Sequence, residues 1–494
     1  MLLLGIDLGT SSIKATVVDA ANMQQIASAK YPEEENEIIS LQPGWAEQSP
    51  EMWWEHTQLA ILKLHAQRKY NPNDIVAIGV AYQMHGLVMI DKEQKVLRNS
   101  IIWCDSRAVE IGDKAFEAIG KEKCLLQLLN SPGNFTASKL AWVKQNEPKL
   151  YEKIDKIMLP GDFIAMKLTG DATTTIAALS EGIFWDFQNN ELSKDVFNYY
   201  KLNTSFVPTI KNVFTEHGKL TASIAAALSL KEGIPVTYKA GDQPNNALAL
   251  NVLQPGEVAA TAGTSGVIYG VSDQLTYDKE SRINTFAHVN YTTEQKRVGV
   301  LLCVNGTGIL NRWIKNMAGT EVSYQQMNEL AKSVKPGSDG VSIFPFGNGA
   351  ERMLNNKIIG ACIQNIDFNK HSNAHLFRAA QEGIAFALRY GLDIMRENGM
   401  NPKVIRVGKA NMFLSDVFTE SFANVNNVAV EFYEGDGSFG AAIGAGIGSG
   451  IFSDASSASK NRKPVGVVEP KQTAQSNELY ENWRELLERK LIDS

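Results

Sequence analysis

A strand–turn–strand pattern with Gly-Thr-Ser at its turn occurs twice in this sequence, once in each half. The first copy covers residues 2–19, with its turn at Gly9, and the second covers residues 257–271, with its turn at Gly263. In both copies a short apolar segment precedes the turn and a β-branched segment follows it, which is typical of strands. A repeat over so long a separation indicates two similar domains, because the units of a solenoid recur every ~20–50 residues.

The rest of the chain mixes further strand candidates with helical patterns, and this mixture predicts an α/β protein. A chain of this length allows roughly two to four domains. A Gln-Pro-Gly turn at residues 254–256 is a suitable boundary. We therefore expect one domain at residues 1–252 and a second at residues 253–494.

Composition argues against several classes of function. The formal net charge is −6, which gives no reason to expect a nucleic-acid partner. The four cysteines form no Cys-x-x-Cys pair, which argues against a zinc site and favours a reducing compartment. The N-terminus lacks the basic leader of a signal peptide, and no apolar stretch is long enough to cross a bilayer. We expect a cytoplasmic protein without a membrane partner.

The first turn has the residue types of a phosphate-binding loop. Glycine lets the backbone approach a phosphate closely, and successive N–H groups of a tight turn attract an anion. Thr10, Ser11 and Ser12 add hydroxyl donors. Lys14 adds positive charge, and Asp7 offers a hard oxygen to Mg²⁺, directly or through water. Taken alone, the segment fits an ordinary hairpin equally well.

The second turn favours phosphate binding. Gly263, Thr264 and Ser265 repeat the same residue types, and two such turns facing each other would hold one polyphosphate between two domains. The chain has no Walker A motif, and no Gly-x-Gly-x-x-Gly follows an early strand, which argues against a dinucleotide-dependent dehydrogenase.

Asp242 and Gln243 follow a predicted strand that ends at Gly241. Open α/β sheets bind ligands at the carboxyl ends of their strands, so a carboxylate there is a candidate for catalysis. An aspartate that caps the following helix is the ordinary alternative. This segment alone favours the capping alternative.

A third candidate segment, Gln83-Met84-His85, directly follows another predicted strand. Gln83 and His85 can hydrogen-bond hydroxyl groups, and Met84 can pack against a carbon chain. A lone histidine is more often a structural residue than a ligand. Further along, residues 103–107 suggest a buried Asp–Arg pair, and the small residues of segment 435–446 predict close helix packing beside a nucleotide site.

Several motifs, in this order, resemble those of the FGGY family of carbohydrate kinases, and the resemblance extends from Leu3 to Gly450. The matching segments are 5–10, 45–50, 83–86, 103–107, 241–243 and 263–266. The resemblance implies two actin-like (ribonuclease H-like) ATPase domains that flank an interdomain cleft, where ATP and sugar meet. It also implies that residues 1–252 bind the sugar and residues 253–494 bind the nucleotide.

The resemblance further implies roles for single residues. Asp242 and Asp7 would be catalytic, Asp242 as the base, and Asp7 would also hold Mg²⁺ directly or through water. The residues expected to bind the sugar are Gln83, Met84, His85, Asp242 and Gln243. The residues expected to contact ATP and its phosphates are Thr10, Ser11, Ser12, Lys14, Gly263, Thr264, Ser265, Gly308, Arg312, Gly408, Lys409 and Asn411.

The expected function is therefore ATP-dependent phosphorylation of a small ketose or polyol. Gln-Met-His-Gly at residues 83–86 is similar to the family members that act on xylulose and differs from those that act on glycerol, which favours a ketopentose. Ribulose, another ketose and a polyol remain alternatives. So do a sugar-sensing protein that has lost catalysis and an actin- or chaperone-like ATPase with a protein partner. The oligomeric state is left open, a homodimer included.

One segment departs from the family pattern. Family members usually carry several glycines near the adenosine site, whereas this chain has Val407-Gly408-Lys409-Ala410-Asn411. Because Lys409 and Ala410 are bulkier than glycine, we expect an effect on nucleotide affinity or choice. Contact between Lys409 and a phosphate is the alternative.

Overall fold

The computed structural model describes residues 1–319, 321–460 and 462–493. Strands and helices are interspersed throughout these residues and form two large sheets with helices packed against them. The predicted α/β class is confirmed. None of the helices in the described part of the chain combines the length and apolar character needed to cross a membrane.

The first sheet contains six strands. They are β1 (Leu2–Leu8), β2 (Ile13–Asp19), β3 (Gln25–Tyr31), β4 (Ile75–Tyr82), β5 (Phe214–Lys219) and β6 (Pro235–Gly241). Their order in the sheet is β5-β6-β4-β1-β2-β3, with β6, β4 and β1 mutually parallel. Nearly every residue of β1 and β4 is buried, as expected for strands covered on both faces.

The second sheet contains seven strands. They are β7 (Val258–Ala262), β8 (Gly266–Ser272), β9 (Asn284–Ala287), β10 (Val298–Val304), β11 (Val404–Gly408), β12 (Ala429–Tyr433) and β13 (Gly466–Val468). Their order is β9-β10-β8-β7-β11-β12-β13. The antiparallel β7–β8 pair corresponds to the β1–β2 pair of the first sheet, and β11 runs parallel to β7 as β4 does to β1.

Shorter strands form two-stranded ladders outside these sheets. The pairs are Glu47–Gln48 with Ser100–Ile101, Val88–Ile90 with Lys156–Met158, Thr173–Thr175 with Thr209–Lys211, Trp185–Asp186 with Glu191–Leu192, and Ser342–Phe344 with Cys362–Gln364. Most of them belong to the loops that follow the first sheet's strands.

Helices cover the sheets. In chain order they are α1 (Pro50–Ala66), α2 (Val109–Ile119), α3 (Lys121–Leu128), α4 (Thr136–Asn146), α5 (Pro148–Tyr151), α6 (Pro160–Thr169), α7 (Ile176–Glu181), α8 (Lys194–Tyr200), α9 (Ala222–Leu228), α10 (Asp242–Ala249), α11 (Gly308–Met317), α12 (Tyr324–Ser333), α13 (Asn373–Glu397), α14 (Asp416–Asn426), α15 (Gly437–Gly448), α16 (Ala455–Ser459) and α17 (Thr473–Ile492). The longest, α13, is buried along most of its length within the second half.

The parallel strands of the first sheet end at the same level. Leu8 of β1 pairs with Tyr82 of β4, and Tyr82 pairs in turn with Gly241 of β6. The chain leaves all three strands at one edge of the sheet, so the residues that follow them meet there.

Helix α15 belongs to the second half in sequence but packs against the first sheet, on β1, β4 and β6. The contact is so close that a Cβ atom on Gly5 would lie 1.9 Å from the carbonyl oxygen of Ser438, and one on Gly79 would lie 2.0 Å from that of Ala441. Glycines on the strands and small residues on the helix are therefore needed together. The close helix packing predicted for segment 435–446 is confirmed.

Candidate active site

Asp7, Gln83 and Asp242 meet at the carboxyl edge of the first sheet, because they lie at or just beyond the level ends of β1, β4 and β6. Asp7, Asp242 and the neighbouring Gln243 are half-buried. Gln83 is buried. The sequence motifs that looked separate along the chain thus form one site.

Asp242 is the first residue of α10, and the N-cap position is Gly241, which has no side chain to bond the helix. Desolvation by the surrounding protein raises the pKa of Asp242 to about 6, although hydrogen bonds from Gln243 act in the opposite direction. A carboxylate whose pKa lies close to neutral is suited to accept a proton. Because the N-cap residue is Gly241, Asp242 does not occupy the capping position that the ordinary alternative assigned to it.

Asp7 is the second carboxylate of the site. Desolvation and the nearby charges of Asp242 and Asp436 raise the pKa of Asp7 to about 7, while Lys14 acts to lower it. Its Oδ2 abuts the start of α15, since a Cβ atom on Gly437 would lie 2.1 Å away. Because Asp7 and Asp242 carry like charges close together, these two carboxylates are a favourable place for a cation or for a proton that they share.

The turn after β1 is fixed by a hydrogen-bond network. The Thr10 hydroxyl donates to Gln83 Oε1 (3.0 Å) and accepts from the Trp103 indole nitrogen (2.9 Å). Gln48 Nε2 donates to the Thr10 carbonyl (2.9 Å), and Gln83 Nε2 donates to Gln48 Oε1 (3.1 Å). The polar atoms of Gln83 are therefore committed to holding the turn. Ser11 is exposed, and the Ser12 carbonyl accepts the Gly9 N–H across the turn (3.2 Å).

Lys14 forms an ion pair with Asp436, which directly precedes α15. Asp436 also caps that helix, accepting from the Phe439 N–H (3.1 Å) and the Ser438 hydroxyl (2.7 Å). Sequence reasoning missed Asp436 as part of the site. The position next to the Gly-rich helix was visible in the sequence, but nothing local indicated that it would meet Lys14, which lies more than four hundred residues earlier.

His85 has a left-handed backbone (φ 62°) and a defined tautomer. Its Nδ1 lies 3.0 Å from the carbonyl oxygen of Glu181, which can only accept, so Nδ1 carries the proton. Burial, together with the charge of Lys139, lowers the pKa of His85 to about 3. The ring is therefore neutral, and Nε2 is a hydrogen-bond acceptor. Phe135 and Phe286 pack on the ring, with centroids 4.8 and 5.3 Å away.

Met84 and Glu181 fill the space directly behind the strand that leads to Asp242. A Cβ atom on Gly241 would lie 2.6 Å from Met84 Cγ and 2.7 Å from Glu181 Oε2. Glu181 is buried, and burial raises the pKa of its carboxyl group well above the ordinary value. Glycine is thus required at position 241. Sequence reasoning missed Glu181, because no motif distinguishes it within its short helix.

A separate cavity of about 340 Å³ lies in the second half, beside the turn between β7 and β8. Of the residues predicted to contact the nucleotide, Gly263, Thr264, Gly308, Arg312 and Asn411 line it. Further lining residues that the sequence did not suggest are Tyr324, Asn328, Met412, Leu414 and Ser415. The cavity therefore combines a glycine turn and an arginine with an aromatic and aliphatic wall.

Helix α11 docks directly on that turn. The N–H groups of Gly308 and Ile309 donate to the carbonyls of Gly263 (2.9 Å) and Thr264 (3.2 Å). A Cβ atom on Gly308 would lie 2.2 Å from the Gly263 oxygen, so only glycine fits. The first N–H groups of α11 are thus used to orient the turn.

Ser265, Gly408 and Lys409 are not among the residues that line this cavity. Lys409 and Ala410 are exposed, and a Cβ atom on Gly408 would meet nothing within 4 Å. Lys409 and Ala410, which stand where family members usually carry glycine, therefore do not line the cavity. The chain turns back into the site at Asn411, whose φ is 54°.

The predicted buried Asp–Arg pair is confirmed. Arg107 bonds Asp105 through two nitrogens, with the Nη2 contact at 2.7 Å, and its guanidinium lies 3.8 Å from the Trp45 ring centroid. Both charged side chains are almost fully buried. This cluster supports the loop that carries Trp103 to the Thr10 turn.

Comparisons with known proteins agree with this architecture. The chain matches the N-terminal domain of the FGGY family of carbohydrate kinases over residues 2–249 and the C-terminal domain over residues 258–449. A curated xylulose kinase from Haemophilus influenzae is 30% identical over 413 residues, or 82% of each chain.

Solved structures share the whole fold. A "xyloylose kinase" from Brucella ovis has a TM-score of 0.87 at 26% identity, covering 98% of both chains. A glycerol kinase from Plasmodium falciparum, solved with ADP, has a TM-score of 0.88 at 21% identity and covers 99% of this chain and 98% of its own. The second likeness is one of fold alone.

Fold and site together define a two-domain, actin-like phosphotransferase of the carbohydrate kinase class. The chain belongs to the FGGY family of carbohydrate kinases, and it is a sugar kinase. The predicted family, the two-domain actin-like fold and the enzyme class are confirmed.

Proposed function

We propose that this kinase transfers the γ-phosphoryl group of ATP to the terminal hydroxyl of D-xylulose, giving D-xylulose 5-phosphate. The observation that carries the proposal is that Asp242, a carboxylate with a pKa near 6, and His85, a neutral acceptor, both lie just beyond the level ends of adjacent parallel strands. The printed names of the curated relatives support xylulose as the acceptor sugar.

Asp242 accepts the proton of the sugar hydroxyl in this mechanism. As the bond from the sugar oxygen to the γ-phosphorus forms, the bond from that phosphorus to the β–γ bridging oxygen breaks, and ADP leaves. Such transfer depends mainly on in-line positioning and on neutralisation of the phosphate oxygens. His85 Nε2 accepts a hydrogen bond from another sugar hydroxyl, and Met84 and Gln243 complete the sugar site.

The cavity beside the β7–β8 turn would hold the nucleotide. Thr264 is exposed and Arg312 lines the same cavity, so a hydroxyl and a guanidinium would be available to phosphate oxygens. The ring of Tyr324 and the side chains of Met412 and Leu414 offer an apolar surface to the base. In this proposal residues 253–494 bind the nucleotide and residues 1–252 bind the sugar.

Mg²⁺ fits the first turn. Among the described residues, no three His, Cys, Asp or Glu side chains are arranged to hold a metal. Mg²⁺ needs no such cage, because it keeps several waters and binds one or two carboxylates together with phosphates. Asp7 would supply that carboxylate, and a cation there would offset its repulsion with Asp242 and Asp436. When bound, the ion would neutralise charge on the transferred phosphoryl group.

Other acceptor sugars, such as ribulose or a polyol, would use the same base. They differ from xylulose in the position or stereochemistry of single hydroxyls. The sugar-sensing alternative loses its support, because Lys409 and Ala410, on which it rested, are exposed and outside the cavity. A cytoplasmic location and a homodimer remain predictions.

A coupled ADP-release assay with ATP, Mg²⁺ and a panel of ketoses and polyols tests the proposal, with Asp242→Ala as the control. We expect D-xylulose to give the highest kcat/KM, and we expect Asp242→Ala to release no ADP in response to sugar. A higher kcat/KM with ribulose or a polyol would contradict the substrate. Near-normal turnover by Asp242→Ala would remove Asp242 from the role of base.

A further inference from the structure

Strand β9 is one of the two edge strands of the second sheet. Edge strands present unpaired backbone N–H and C=O groups on their outer side. In this protein the outward N–H and C=O of Thr285 and the outward N–H of Ala287 bond to side chains from the first half of the chain rather than to another strand. The strand is buried along its whole length, so these bonds lie inside the interface between the halves.

Asn130 acts as a short substitute for a neighbouring strand. Its Nδ2 donates to the Thr285 carbonyl (2.6 Å), and its Oδ1 accepts from the Thr285 N–H (3.1 Å). Asn284 Nδ2 also donates to this oxygen (3.0 Å). The backbone N–H can only donate and the carbonyl can only accept, so the orientation of the Asn130 amide is fixed. Its side chain is fully buried.

Ser180 holds the next outward N–H of the same strand. Its hydroxyl oxygen accepts from the Ala287 N–H (2.9 Å), while its proton is donated to the Ala177 carbonyl (2.8 Å). Ser180 is buried and immediately precedes Glu181, whose carbonyl fixes the tautomer of His85. We call Asn130, Ser180 and strand β9 together the clasp.

The clasp places one aromatic side chain from the second half against the sugar site. Phe286 lies between the two clasped residues, Thr285 and Ala287, and its ring centroid is 5.3 Å from that of His85 and 5.7 Å from that of Phe135. Phe286 is buried. The ring of His85 is therefore in contact with a residue that the second sheet supplies.

The same strand is connected to the nucleotide cavity. β9 pairs with β10 from Asn284 to Ala287, and β10 ends at Val304, shortly before α11 begins at Gly308. Gly308 lines the cavity and bonds the Gly263 turn. The Gly263 turn leads into β8, which pairs with β10 along its length, so a continuous path of hydrogen-bonded backbone joins the cavity to Phe286.

We propose that Asn130 and Phe286 are positioning residues that couple the two substrate sites. Through the clasp, the nucleotide-binding half fixes the orientation of His85. Binding of each substrate therefore strengthens binding of the other. This inference rests on the proposed function for the identity of the two ligands. It predicts positive coupling, which must be reciprocal between sugar and nucleotide. Neither residue needs to touch sugar or ATP.

The test measures sugar binding by calorimetry to the full chain, with and without a saturating non-hydrolysable ATP analogue and Mg²⁺. For the wild type we expect the analogue to tighten D-xylulose binding by about fivefold or more, within the usual range of coupling. In Asn130→Ala and in Phe286→Leu we expect the analogue to change the affinity for D-xylulose by less than twofold. The affinity for the nucleotide in the absence of sugar should be unchanged.

Tyr291→Phe is the matched control. It removes another hydrogen bond between the halves, from the Tyr291 hydroxyl to Asn190 Oδ1 (3.2 Å), but the Tyr291 ring packs on Phe187 rather than on His85. We expect the control to keep the wild-type coupling. Loss of coupling in the control as well would indicate general loosening of the interface and would overturn the role of the clasp.

The inference is overturned if Asn130→Ala and Phe286→Leu keep the wild-type coupling, or if the wild type shows none. Phe286→Leu keeps the backbone bonds and most of the buried volume, so it gives a result even if Asn130→Ala does not fold. If the sugar panel selects another substrate, that sugar replaces D-xylulose in the calorimetry. Failure of the proposed substrate is therefore distinguishable from failure of the clasp.

Discussion

At the scale of single residues, the site sets carboxylates with raised pKa values beside a histidine that is held neutral. Desolvation raises the pKa of Asp242 and of Asp7, and burial lowers that of His85. Burial thus makes Asp242 a better base and keeps His85 Nε2 available as an acceptor. These opposite shifts produce measurable consequences in pH dependence and in sugar affinity.

The acidic limb of the pH–rate profile should reflect the raised pKa of Asp242. The base must be ionised to accept a proton, so we expect kcat/KM to be maintained above pH 6–7 and to fall tenfold per pH unit below about 6. An ordinary aspartate would keep activity down to about pH 4. A profile that stays flat from pH 7 to pH 5, with circular dichroism confirming a folded chain, would contradict this expectation.

The acceptor role of His85 predicts a loss in sugar affinity when the ring is replaced. Asparagine tolerates the left-handed backbone at this position, so His85→Asn should fold. Loss of one hydrogen bond to the sugar should raise the sugar KM by about 5- to 150-fold, the equivalent of about 1–3 kcal/mol. The KM for ATP should change much less. Equal rises in both KM values would instead point to a general disturbance of the site.

At the scale of elements, the ends of strands carry the chemistry and glycines determine how closely helices approach them. Helix α15 touches β1 and β4 at positions where only glycine fits, and α11 meets the Gly263 turn through Gly308. The positions of Asp7 and of the cavity thus depend on contacts that leave no room for a Cβ atom.

Substitution of Gly5 tests this close packing. A Cβ atom there would lie 1.9 Å from the Ser438 carbonyl oxygen, so Gly5→Ala must push α15 away from β1. We expect a loss of about 1–3 kcal/mol in the free energy of unfolding, the cost typical of overpacking. Gly466→Ala in strand β13 is the control, because its nearest neighbour would be an ordinary contact at 3.7 Å. Equal melting temperatures for the two variants would contradict the inference that the contact between α15 and β1 leaves no room for a side chain at position 5.

The sequence predicted those parts of the site that a local pattern encodes. The two Gly-Thr-Ser turns, the segment 83–86 and Asp242 each follow a strand, and level strand ends bring the first-half segments together. Asp436, Glu181 and Phe286 could not be found in this way. Each is placed by a partner remote in sequence (Lys14, Gly241 and His85 respectively), and no spacing rule links the two.

At the scale of the whole molecule, the two halves are interlocked rather than simply adjacent. Helix α15 of the second half packs on the first sheet, and Asn130 of the first half completes the edge of the second sheet. Phosphoryl transfer requires sugar and nucleotide to meet in line while water is kept away. Contacts exchanged in both directions are the physical basis of the coupling that we propose between the sugar and nucleotide sites.

The most direct test of the account separates sugar binding from chemistry in Asp242→Asn, which keeps the size of the side chain and removes the base. Turnover would be measured by ADP release with ATP, Mg²⁺ and D-xylulose, and sugar affinity by calorimetry on the same preparation. We expect kcat to fall by about 10²–10⁴-fold, as for loss of a general base, while the sugar Kd changes by less than about threefold. Turnover within tenfold of the wild type, with sugar still bound, would show that Asp242 does not accept the proton.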